Sequence, residues 1–189
     1  MQPRLRSLLT VAVVTLGALP LAAQSAASHR HGFFIGFGLG GGGGTVENDD
    51  NADGGMGWLT LGGTISPRLR LAADFEGMTP KGDNADYTLG TSTFAALYYP
   101  SVTSNFFMKA GIGAATVAYT GPGPNGNGTG LGGVFGAGFD MMVGQKVSIT
   151  PQLTFFGGST GDIRADDNTF VANDVHFSMA TLSIGVVFH

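Results

Sequence analysis

Eight stretches of this chain alternate apolar with small or polar residues at a period of two. They are Gly32 to Gly42, Met56 to Ser66, Arg68 to Met78, Tyr87 to Tyr99, Asn105 to Tyr119, Thr129 to Val143, Lys146 to Gly157 and Val175 to His189, each of 11 residues or more. Period-two alternation marks a strand with two unlike faces. A tilted strand needs about 9–11 residues to cross a bilayer. Past the N-terminal segment nothing reads as a long amphipathic helix. No run of about 18 apolar residues occurs there either, which excludes a helical membrane protein. Charged residues make up 12% and glycines number 33, against about 25% charged in a soluble domain. Such a composition also suits low-complexity disorder, so the alternating pattern decides. The reading is an all-β chain, an eight-stranded antiparallel up-and-down transmembrane β-barrel.

The connections differ in length. Long ones follow segments 1, 3, 5 and 7: GGTVENDDNADGG, TPKGDNAD, TGPGPNGNGTG and GSTGDIRADDNTFVAND. Short ones follow segments 2, 4 and 6, at Ser66-Pro67, Pro100 to Ser104 and Gly144-Gln145. Membrane barrels sort long loops to the outside and short turns to the periplasm. Ten of the 13 acidic residues fall in the long connections: Glu47, Asp49, Asp50, Asp53, Asp83, Asp86, Asp162, Asp166, Asp167 and Asp174. Arg68 and Lys146 sit at the short turns. The net charge of −4 argues against nucleic acid as a partner.

The first residues carry Arg4 and Arg6, then an apolar run from Leu8 to Leu21, then small residues at Leu21-Ala22-Ala23 and Ser25-Ala26-Ala27. That order predicts a secretory signal peptide over 1–27 and a barrel domain over 28–189. With no cysteine in the chain, lipoprotein processing, a disulfide framework and a thiolate metal site are all excluded. Export and strand length together predict the cell outer membrane.

Parity assigns the faces. Leu69, Leu71, Ala73 and Phe75 are expected outside, as are Phe106, Met108, Ala110, Ile112 and Ala114. Leu131, Phe135, Ala137, Phe139 and Met141 join them, with Ala180, Leu182, Ile184, Val186 and Phe188. Inside fall Arg70, Asp74, Glu76, Lys109 and Asp140. Buried charges must pair, and side chains just fill an eight-stranded interior. The five are therefore expected to form a salt-bridge network that plugs the lumen, with a proton or ion path as the alternative. Arg70, Lys109 and Asp140 should meet near the periplasmic end, with Asp74 and Glu76 higher. Phe33, Phe34, Tyr87, Tyr98, Tyr99, Phe106, Phe107, Tyr119 and Phe188 gather at segment ends, as interfacial girdles do.

The closing run Thr181-Leu182-Ser183-Ile184-Gly185-Val186-Val187-Phe188 ends on an aromatic residue. With the eight-segment architecture, it resembles the outer-membrane β-barrel domain family of OmpA-transmembrane-domain and OmpX type, over about residues 32–189. The resemblance implies recognition of Phe188 by the barrel-assembly machinery, although His189, not the aromatic, is last. It also implies contact with outer-membrane lipid and lipopolysaccharide, a monomer, and a non-enzymatic role in envelope structure or surface-loop interaction. A narrow pore or small-ligand carrier is an alternative within the same architecture.

Other motifs carry less. Asp49, Asn51, Asp53 and Gly54 open like a calcium loop, but the closing bidentate position holds Thr60. The glycines from Gly40 to Gly44, and the Gly36-x-Gly38-x-Gly40 spacing, lack the following helix and lysine of a phosphate cradle. Asn127-Gly128-Thr129 fits a glycosylation acceptor by chance. Asp174, His176 and Ser178 share a strand face, and His-x-Ser resembles the motif of outer-membrane lipid A deacylases. That resemblance implies Ser178 as nucleophile and His176 as base, with Asp174 orienting it. Met179 stands where those enzymes carry Asn, so the enzyme reading remains an alternative. No cofactor and no metal is expected.

Overall fold

The computed structural model describes residues 30–46, 49–80, 86–120, 126–161, 163–165, 170–172 and 175–189. The expected signal segment, like Asp174, lies outside them. Eight long strands dominate: β1 (Phe33–Val46), β2 (Asp49–Ser66), β3 (Leu69–Pro80), β4 (Asp86–Tyr98), β5 (Phe106–Thr120), β6 (Gly126–Phe139), β7 (Val147–Thr160) and β8 (His176–Phe188). Each pairs antiparallel with its chain neighbour, and β8 returns to β1 through Ile35↔Phe188 to Val46↔Phe177. The ladder therefore closes, so every long strand has two partners and none is left as an edge. The fold class is the one the alternation predicts.

Loop lengths follow the prediction less well. The stretch GGTVENDDNADGG is mostly strand: Gly44 pairs with Ala52 and Val46 with Asp49, so only residues 47 and 48 separate β1 from β2. The strands likewise consume the ends of the next two expected loops, leaving 81–85 and 121–125 between elements. Glycine and aspartate read as turn residues in isolation, but cross-strand pairing recruits them where a neighbouring strand continues the ladder. The residues from 161 to 175 remain a long connection, with short strands Ile163–Ala165 and Phe170–Ala172 that pair with each other. Asp49, Asn51 and Asp53 are on β2, so the extended backbone cannot wrap a calcium ion as a loop would. The glycine run Gly40 to Gly44 is likewise paired on both sides within β1.

The face assignment by parity holds. Leu39, Ile112, Leu131, Phe135, Leu182 and Ile184 point outward and are each more than half exposed. Arg70, Asp74, Glu76, Lys109 and Asp140 point inward and are each 5% exposed or less. The molecule is thus apolar outside and charged inside, the reverse of a soluble barrel. Of the expected aromatic girdle, Tyr87 and Tyr119 lie outside the residues whose side chains are described, and the others divide between the two faces. Phe33, Tyr98 and Phe106 face out, but their neighbours Phe34, Tyr99 and Phe107 are buried in the lumen. Strand alternation sends one member of each adjacent aromatic pair inward.

Candidate functional site

The interior is filled in three tiers. At the end where β1 begins and β8 finishes, Arg70, Tyr99, Asp140, Thr150, Ser148 and His189 form one hydrogen-bonded set. Tyr99 Oη donates to Asp140 Oδ2 at 2.8 Å, and Thr150 Oγ1 donates to Asp140 Oδ1 at 2.9 Å. Arg70 donates to Tyr99 Oη at 3.2 Å and lies 3.8 Å from Asp140 Oδ2. Its other amino group meets His189 Nδ1 at 2.8 Å, and His189 Nε2 meets Ser148 Oγ at 2.9 Å.

Arg30, just before β1, closes this end. Its guanidinium contacts the carbonyls of Pro67 at 3.3 Å, Val102 at 3.2 Å and Ser104 at 2.5 Å. It stacks over the Tyr99 ring at 3.9 Å, with Arg70 at 5.5 Å from the same ring. Burial holds its pKa below the usual arginine value, yet the guanidinium keeps its charge. It ties the chain entry to the β2–β3 and β4–β5 connections.

Midway along the lumen, Lys109 Nζ contacts Asp74 Oδ2 at 3.0 Å and Glu76 Oε1 at 2.5 Å. Thr60 donates to Asp74 Oδ1. Thr91, Thr93, Thr154, Thr181, Ser183 and Gln152 line this tier as a buried polar belt. Beyond it, towards the far end, Met56, Met78, Leu89, Val117, Phe156, Phe177 and Met179 close the bore as an apolar plug. Between the charged tiers a cavity lined by Trp58, Arg70, Lys109, Asp140 and others offers only about 10 Å³, roughly the volume that a single water requires.

The expected meeting of Arg70, Lys109 and Asp140 occurs in part. Arg70 and Asp140 come together, but Lys109 joins Asp74 and Glu76. Arg70, Leu97 and Lys109 do share one pairing row. Strands tilt about 35–45° in a barrel, so a pairing row runs obliquely to the axis. Two strands along that row, Lys109 stands at a different height from Arg70. Arg30, Tyr99, Thr60 and His189 went unassigned to the network. The parity of Tyr98-Tyr99 could have shown Tyr99; Arg30 precedes the first alternating segment and gives no such signal.

His176 and Ser178 both point outward, near the far end of β8, and are exposed. Alternate residues of a strand stand about 6.8 Å apart at Cα. The backbone of β8 is paired to β1 on one side and β7 on the other at Ser178. Its N–H groups are therefore committed and offer no oxyanion hole. Among the described residues no group of three or more His, Asp or Glu is gathered as a metal site.

A closed eight-stranded barrel with an apolar exterior and a charged, filled lumen is the architecture of outer-membrane barrels. Solved structures bear this out at the level of fold. The chain is similar to neisserial surface protein A, at 19% identity and TM-score 0.58, covering 82% of this chain and 96% of that one. It is similar to Ail, the attachment invasion locus protein of Yersinia pestis, at 13% identity and TM-score 0.52, covering 84% and 99%. The N-terminal barrel domain of OprF from Pseudomonas aeruginosa matches at 12% identity and TM-score 0.50, covering 84% and 98%. No protein-family model matches the chain, and no curated protein matches it in sequence.

Proposed function

We propose that this chain is a non-enzymatic protein of the cell outer membrane, a monomeric barrel with a plugged lumen that serves the envelope structurally or through its surface connections. The observation that carries this reading is the inversion of polarity. Leucine and phenylalanine side chains stand exposed around the outside, while the ionisable side chains of Arg30, Arg70, Asp74, Glu76, Lys109 and Asp140 lie buried in a closed interior. An apolar exterior of this extent suits hydrocarbon and not water. Outer-membrane lipid, lipopolysaccharide and, during insertion, the barrel-assembly machinery are the partners it implies. Two proteins that share the fold are named for the cell surface and for attachment, and a surface role fits that company.

Purified protein in planar bilayers is expected to give no large, regular conductance steps, because side chains occupy each tier of the bore. Such steps would overturn the plugged reading and favour the narrow pore. The same reading expects Ser178→Ala to be silent. Mass spectrometry of lipid A from cells expressing wild type or Ser178→Ala should show identical acylation. Loss of an acyl chain with wild type alone would make Ser178 a nucleophile.

A further inference from the structure

The charges of the middle tier do not balance. Asp74, Glu76 and Lys109 are 0%, 3% and 1% exposed, and the two carboxyl groups share one ammonium. If both were ionised, this tier would hold one negative charge without a partner in contact, which burial disfavours. Among the described residues the other buried cations, Arg30 and Arg70, belong to the tier below, where Arg30 lies over the Tyr99 ring and Arg70 is engaged with Tyr99, Asp140 and His189. Facing Glu76 are Trp58 on β2 and Thr91 on β4, its direct register partners. Lys109 faces it from β5, and Asp74 precedes it on β3. Above lie Met78, Leu89 and Val117, which carry no charge.

A second observation concerns the atoms left over. Glu76 Oε2 is buried without a protein partner, and so are Thr91 Oγ1 and Thr93 Oγ1. The two threonines are 3% and 5% exposed and lie on the strand opposite Glu76. An ionised carboxylate can only accept, whereas a neutral carboxyl adds one O–H donor. That donor is what a pair of hydroxyl oxygens can receive.

We propose that Glu76 is a proton-binding site, protonated at neutral pH, with Oε1 accepting from Lys109 and Oε2–H donating towards the Thr91 and Thr93 hydroxyls through one bound water. Lys109 and Asp74 then form a neutral pair, completed by the Thr60 hydroxyl. The proposal rests on the lumen geometry and is independent of where the barrel resides, so its test uses detergent-folded protein.

The full chain folded in micelles should show a buried carboxylic-acid C=O band in the infrared at neutral pH. Glu76→Gln should lose that band yet unfold in urea at an unchanged or higher midpoint, because the amide keeps one acceptor and gains a donor. Asp74→Asn should unfold at a lower midpoint. The folded wild type then holds one proton more than the unfolded chain, so its midpoint should fall as pH rises from about 5 to about 8. Glu76→Gln should flatten that slope. Absence of the band, or failure of Glu76→Gln to fold, would overturn the assignment. So would a band that survives Glu76→Gln and disappears in Asp74→Asn. A rise in midpoint when sodium replaces choline at constant ionic strength would mean that a cation, not a proton, balances the tier.

Discussion

Lys109→Met is expected to destabilise the folded barrel by about 3–5 kcal/mol, the scale for removing one partner of a buried pair. The ammonium is 1% exposed and holds two carboxyl groups within contact. Methionine keeps the unbranched apolar stem and removes only the charged end, so the loss reports mainly charge. Asp74, 0% exposed, would keep only the Thr60 hydroxyl. Urea unfolding in micelles, followed by the shift between folded and boiled bands on a gel, measures the effect. Adding Asp74→Asn to Lys109→Met should recover part of the loss, because the stranded charge goes with its partner. An unchanged midpoint in Lys109→Met would show that water reaches the middle tier and screens Asp74.

Much of this arrangement is legible in residue parity. Arg70, Asp74 and Glu76 share the inward row of β3, and Phe75 between them points out; the sequence alternation says as much before any coordinates. What parity lacks is height. Which inward side chains meet depends on strand tilt and stagger, and neither is written in the residues of one strand. That is why Lys109 pairs with Asp74 and Glu76 and not with Asp140. Turn chemistry also misleads at the far end. Gly43, Gly44 and Asp53 to Gly55 look like loop, but each pairs across the β1–β2 hairpin. Neither propensity nor composition records that a partner strand continues beside them. The candidate Ser178 and His176 are placed correctly on one outward face, yet shared parity supplies neither a contact nor an oxyanion donor.

Glycines test the packing of the lumen more sharply than the charges do. The Trp58 indole lies across β1 and β8, where Gly38 pairs with both Trp58 and Gly185. A Cβ at Gly185 would collide with Trp58 Cζ2 and with the Phe37 carbonyl oxygen. One of these is ring and the other is backbone, so neither a rotamer change nor a small shift relieves both. At Gly36 a Cβ would meet only side chains, Val187 Cγ2 at 2.9 Å and Trp58 Cζ3 at 3.0 Å. At Gly55, which faces outward, it would meet nothing within 4 Å. A ranking follows. Gly185→Ala should cost about 3 kcal/mol, at the upper end of overpacking, and Gly36→Ala about 1 kcal/mol. Gly55→Ala should be neutral or stabilise by roughly 0.5 kcal/mol through reduced freedom of the unfolded chain. Urea midpoints of the three variants give the order directly. If Gly185→Ala proves as harmless as Gly55→Ala, the indole does not lie over the β1–β8 seam. If Gly185→Ala is the most damaging, Trp58→Ala in the same chain should return only part of the loss, because the Phe37 carbonyl still opposes the added methyl group.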